Sequence, residues 1–228
     1  MPKTGKFIVI DGTDGSGKTT QLQLLARRLR QEKKSLKIID FPQYGQKSAG
    51  LVENYLNGDY GAAQEVGPYR AAIFYAADRY DASFKIKKWL RQGKIVLANR
   101  YVAANMAHQG GKINNAQKRQ TYFKWLDNLE YGIFSIPRPD INLILKVPAA
   151  IAQKLATNKD SQKRKKIYQK KKDIHEHDLR HLQKAEKVYG EIAKKFPNFR
   201  LIVCAHNGQI MPKEKIRELV WREVKKII

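Results

Sequence analysis

The chain has 228 residues, of which 42% are hydrophobic, 29% charged and one is cysteine. That length can bury one good core without disulfides or a structural metal, no apolar run reaches membrane-spanning length, and the N-terminus lacks a signal-peptide pattern. A formal charge of +24 makes anions the expected ligands, with nucleotides, nucleic acid and acidic surfaces all eligible.

In chain order, Phe7-Ile8-Val9-Ile10 predicts a buried strand and Gln21-Leu22-Gln23-Leu24-Leu25-Ala26 the helix after it. Between them stands Gly12-Thr13-Asp14-Gly15-Ser16-Gly17-Lys18-Thr19, so a strand, a glycine loop and a helix follow one another as a P-loop requires. Glycines at 12, 15 and 17 let the backbone curl around a phosphate with its amides pointing inward, where side chains would block the approach. Lys18 can reach the β and γ phosphates, and the Thr19 hydroxyl is placed to ligate Mg²⁺ at a helix start whose dipole favours anions. A nucleoside triphosphate is the expected ligand.

Further strands are expected to end near Phe41, Ala98, Lys146 and Cys204, as the first does near Asp11, with helical periodicity in the intervals. This is the β-α alternation of an α/β fold: a three-layer P-loop NTPase with a five-stranded parallel sheet flanked by helices, one domain over 1–228. The first helix repeats Leu22, Leu25, Ala26 and Leu29 on one face, and the last repeats Ile216, Leu219, Val220 and Val224. Cys204, within an apolar run, reads as a core thiol in a reducing compartment, and a cytoplasmic location is expected. The segment from Asn158 to Asp173 breaks the pattern, with Ile167 and Tyr168 its only sizeable apolar groups. It is expected to form a mobile basic lid at about 157–173, carrying Lys163-Arg164-Lys165-Lys166 and Lys170-Lys171-Lys172.

Asp11-Gly12-Thr13-Asp14-Gly15-Ser16-Gly17-Lys18-Thr19-Thr20-Gln21, Phe41-Pro42, Phe74-Tyr75-Ala76-Ala77-Asp78-Arg79 and Asn99-Arg100-Tyr101-Val102-Ala103-Ala104-Asn105 resemble the successive signatures of thymidylate kinases. The resemblance runs over nearly the whole chain, in the right order. It implies phosphoryl transfer from ATP to dTMP with Mg²⁺, and commonly a homodimer. It implies that the loop from Gly12 to Thr20 holds ATP and that Arg100 holds the acceptor phosphate. Tyr75 would offer a ring for the pyrimidine to stack on, Arg79 a donor to a base carbonyl, and Asn105 a donor and acceptor to the base edge. Phe41 would wall the pocket, and Asp14 would contact the acceptor sugar or the Mg²⁺ shell. The plainer readings are a structural ion pair for Arg100, core packing beside Phe74 for Tyr75, and a surface pair with Asp78 or Asp81 for Arg79.

Two positions depart from the pattern. Asn99 stands where the motif has aspartate, keeping an acceptor oxygen but losing the charge that would orient an arginine or a Mg²⁺-bound water. Gly15 stands where some members carry an arginine that reaches the transferring phosphoryl group. Members without it take that arginine from the lid, and Arg164 is the only arginine of the basic segment. Lys18, Arg100 and Arg164 are therefore the expected catalytic residues.

His175, His177 and His181 lie close in sequence but match no zinc-enzyme spacing, and a solvent-facing helix start after the lid is the expectation for them. His108 falls near the position where family members exclude a ribose 2′-hydroxyl. Two alternatives stay open: a kinase for another nucleoside monophosphate or a deoxynucleoside, and a basic nucleic-acid-binding protein that retains the P-loop scaffold but has lost turnover.

Overall fold

The computed structural model describes residues 4–163 and 179–228, with the backbone alone over 157–163. Most of the expected lid lies outside the described residues, and so do Arg164, His175 and His177.

Five strands form one parallel sheet: β1 (Phe7–Asp11), β2 (Leu36–Asp40), β3 (Ile95–Asn99), β4 (Ile141–Lys146) and β5 (Phe199–Val203), in the order β2-β3-β1-β4-β5. Alternate side chains of β1 feed two separate cores, which is why its sequence is apolar throughout. Phe7 and Val9 pack with α3 (Ala63–Arg91), α4 (Val102–Gly110), α5 (Ala116–Asp127) and α7 (Leu179–Lys195). Ile8 and Ile10 pack with α1 (Lys18–Gln31) and α8 (Lys213–Val224). The predicted faces of α1 and α8 are the buried ones, through Leu22, Leu25, Ala26 and Leu29 in the first and Ile216, Val220 and Val224 in the second. Truncating one of these buried leucines to alanine costs about 2–5 kcal/mol in comparable cores.

The shorter α2 (Gly50–Asn57) covers the open end of α3. Within α3 the helix is interrupted at Gly67 (φ 73°) and restarts at Pro68, whose fixed φ suits a first helical position. A π-helical turn at Asn128–Ile133 ends α5. α6 (Ala149–Lys163) continues through Asn158, further than the composition break suggested. Polar residues there cannot pack as core, but a helix propagates on local backbone bonds and needs no buried face at its end. An additional hairpin, β6 (Ala205–His206) and β7 (Gln209–Ile210), turns at Asn207 and Gly208, both at positive φ.

Candidate active site

The loop between β1 and α1 lies at the carboxyl edge of the sheet, with β1 between β3 and β4. Open parallel sheets bind ligands at this edge. Gly12, Gly15 and Gly17 have φ of 141°, 79° and 87°. A Cβ at Gly15 would stand 1.8 Å from the carbonyl oxygen of Ala152, and one at Gly12 2.7 Å from that of Leu145. The loop is thus pressed against α6 and β4, and an arginine side chain at 15 has no room. Lys18 is buried, and its Nζ donates to the Thr13 carbonyl at 2.7 Å and stands 3.9 Å from Asp14 Oδ1.

A cavity of about 600 Å³ opens over this loop. Asp14 through Thr20, Phe41, Tyr75, Arg79, Arg100 and Asn105 all line it, together with Asn99 and His108. Gly12 and Thr13 do not. Both are buried behind the loop, where the Gly12 amide donates to Asp11 at 2.9 Å and the Thr13 carbonyl holds Lys18. Leu155, Met211, Lys213 and Ile216 line the same cavity as Thr19 and Thr20.

Arg100 follows β3 in a left-handed conformation, φ 67°, which is unfavourable for a residue with a Cβ and is held by its amide bond to the Ile10 carbonyl at 3.0 Å. Its Nη2 pairs with Asp14 and its Nη1 lies 3.3 Å from His108 Nε2. Burial alone would lower the pKa of this arginine, but Asp14, Tyr189, Asp11 and Tyr44 together outweigh it and the guanidinium stays charged.

Arg79 is paired, but neither at the surface nor with Asp78 or Asp81. Its Nε and Nη2 donate to Glu130, which is fully buried, and this carboxylate overrides the effect of burial and raises the arginine's pKa. The Nη1 edge is left as the part of the fork that can donate into the cavity. Asp78, 1% exposed, instead fixes the loop after β2 by accepting from the Gln43 amide at 2.9 Å and from Ser48 Oγ at 2.7 Å. Asn105 Nδ2 donates to the Ala72 carbonyl at 3.0 Å, while its Oδ1 is a buried acceptor with no partner. Tyr75 is half-buried, meeting Tyr55 edge-on at 6.3 Å.

Beneath the loop, buried Asp11 accepts from Tyr189 Oη at 2.6 Å and from the Tyr101 amide at 3.2 Å. Burial raises its pKa, opposed by Arg100, Tyr189, the Gly12 amide and Lys18. The donor set also suits a magnesium ion, since Thr19 is exposed within the cavity and the carboxylates of Asp14 and Asp40 face the same space as hard oxygen donors. No helix among the described residues is long and apolar enough to cross a membrane.

His181 departs from the expected solvent-facing helix start. It is 8% exposed and its Nε2 lies 3.0 Å from His108 Nδ1. A sequence reading had no means of pairing residues so far apart. Glu130 did leave a signal, a carboxylate set between Leu129 and the apolar Tyr131 and Ile133.

The family model described as Thymidylate kinase matches residues 10–212. A thymidylate kinase of Mycobacterium tuberculosis is 30% identical over 190 residues, covering 82% of this chain and 85% of that protein. One of Plasmodium falciparum is 26% identical over 208 residues, covering 87% and 93%. A solved structure described as thymidylate kinase from Candida albicans matches 98% of this chain and 92% of its own, with a TM-score of 0.74 at 20% identity, a likeness of fold. A family match over most of its length, joined to the P-loop cavity and the arginine at the end of β3, places this chain in the thymidylate kinase family.

Proposed function

We infer that the protein phosphorylates dTMP to dTDP at the expense of ATP, as the family it belongs to does. One observation carries the reading at residue level: Lys18 of the P-loop and Arg100 at the end of β3 line one cavity, so two anionic ligands can meet end to end. Bringing two polyanions together requires neutralised charge and in-line alignment more than covalent chemistry. ATP lies on the loop from Gly12 to Thr20, with backbone amides and Lys18 on its phosphates. Arg100 takes the acceptor phosphate, for which a planar guanidinium offers two parallel bonds.

The half-exposed Asp14 that Arg100 now holds can give way to that phosphate and turn toward the acceptor sugar. Tyr75 stacks on the pyrimidine, Arg79 donates to a base carbonyl, Asn105 reads the base edge and Phe41 closes the wall. Mg²⁺, held by Thr19, would spread the charge of the ATP phosphates when bound. Arg164 would supply the arginine for which Gly15 leaves no room. A homodimer, commonly formed in this family, would form on the outer face of α3.

A coupled ADP-release assay with ATP and Mg²⁺ against dTMP, dUMP, UMP, dCMP, dGMP and thymidine tests the reaction. Turnover is expected to be fastest with dTMP. Equal or faster turnover of another monophosphate would point to a different acceptor pocket, and turnover of thymidine would remove the role of Arg100. DNA binding with steep salt dependence and no turnover of any acceptor would favour the nucleic-acid-binding alternative.

A further inference from the structure

Two histidines lie in line behind Arg100. His108 on α4 has its Nε2 3.3 Å from Arg100 Nη1 and its Nδ1 3.0 Å from Nε2 of His181. His181 belongs to the first turn of α7, and the two ring centroids lie 5.2 Å apart with planes at 30°. A guanidinium nitrogen can only donate, so His108 Nε2 accepts and the proton of that ring is on Nδ1. This N–H points at His181 Nε2, which must accept in turn. The bonds therefore run one way, from Arg100 to His108 to His181, and they close only when both imidazoles are neutral. A proton added to His108 sets N–H against N–H at Arg100. A proton on His181 Nε2 drives the His108 proton across to Nε2, with the same result.

We infer that His181 is a positioning residue for Arg100, acting through His108, so that α7 fixes the orientation of the guanidinium that receives the acceptor phosphate. The inference rests on the reading of Arg100 given above. A donor oriented in advance needs no reordering when the phosphate arrives. The surroundings keep His108 neutral, since burial, then the neighbouring His181, then Arg100 hold it far below the usual histidine range. The charged and titratable groups acting on His108 are His181, Arg100, Asp14 and Lys18, and the ring of Tyr189 on α7 meets it edge-on at 6.0 Å. Asp14 alone favours a charged ring, and it is already paired with Arg100.

The test uses the full chain with His181→Phe, which keeps a flat ring but no acceptor, and His181→Gln, whose Oε1 can accept. His181→Phe is expected to raise KM for dTMP about tenfold while KM for ATP stays within about twofold, and His181→Gln to recover most of the loss. The acid limb of kcat/KM for dTMP, where the pair takes up a proton, should be altered in the Phe variant. A KM for dTMP within about twofold of wild type in both variants would overturn the inference. A second readout is independent of turnover: nitrogen NMR of histidine-labelled wild-type protein at neutral pH should find His108 protonated on Nδ1 and bare on Nε2. Protonation on Nε2, or a charged ring, overturns the inference whether or not dTMP is phosphorylated. The expected tautomer in a protein that does not turn over dTMP would overturn the reading of the reaction instead.

Discussion

Arg79 and Arg100 bring the same charge to one cavity but are restrained differently. Arg79 is locked against Glu130, both side chains having 3% exposure or less, whereas Arg100 pairs with Asp14, which is 39% exposed. A fully buried pair cannot be broken cheaply, while an exposed carboxylate is weakly held and can yield to a phosphate. Glu130→Gln leaves the Arg79 charge buried and uncompensated, at a cost of about 3–5 kcal/mol. Thermal melting should therefore fall by roughly 10 °C or more, and KM for dTMP should rise; a change below about 3 °C would show that the pair contributes little. Asn99 lines the cavity with a buried Oδ1 that has no partner. Asn99→Asp restores the charge the motif carries at this position and is expected to raise kcat in the ADP-release assay; an unchanged or lower kcat with intact dTMP binding would remove Asn99 from the catalytic account. The lining role of these residues was legible because motif residues carry chemistry at fixed spacing. Their partners were not legible, since Glu130 and His181 reach Arg79 and His108 only through tertiary packing.

Helix α3 serves two faces. Tyr75, Asp78 and Arg79 face the cavity, while Tyr69 (40% exposed), Ile73 (42%), Tyr80 (43%) and Phe84 (58%) form a stripe on the outside. Their spacing of four, seven and four residues keeps them on one side of a helix, and Tyr80 is continuous with Phe134 at 5.0 Å. Such a stripe is costly to leave in water. The protein is expected to run as a dimer in light scattering coupled to size exclusion, and Phe84→Glu with Tyr80→Glu to yield a folded monomer; a monomeric wild type would contradict this. Strand ends were legible at the level of elements, because apolar runs between polar breaks mark buried parallel strands. The hairpin at 205–210 was overlooked although Asn207-Gly208 is a turn signature, because its strands are two residues each and carry no periodicity. The reach of α6 to Lys163 escaped for the opposite reason, since composition reports burial and not helicity.

At the scale of the whole molecule, the sheet order puts β1 between β3 and β4, so the P-loop and Arg100 emerge side by side from neighbouring strands. Strands far apart in sequence thus build one cavity, and the fold is what turns four separate motifs into a site. A charge of +24 suits two polyanionic ligands, and among the described residues Lys18, Arg79, Arg100 and Lys213 are the cationic side chains that line the cavity. The central claim is that Arg100 holds the acceptor phosphate opposite ATP on the P-loop. The most direct measurement is the initial rate of Arg100→Met as a function of dTMP and of ATP, beside wild type. We expect KM for dTMP to rise at least about tenfold, a loss of about 1.4 kcal/mol or more, with KM for ATP within about twofold. Equal changes in both constants, or none in either, would contradict the account.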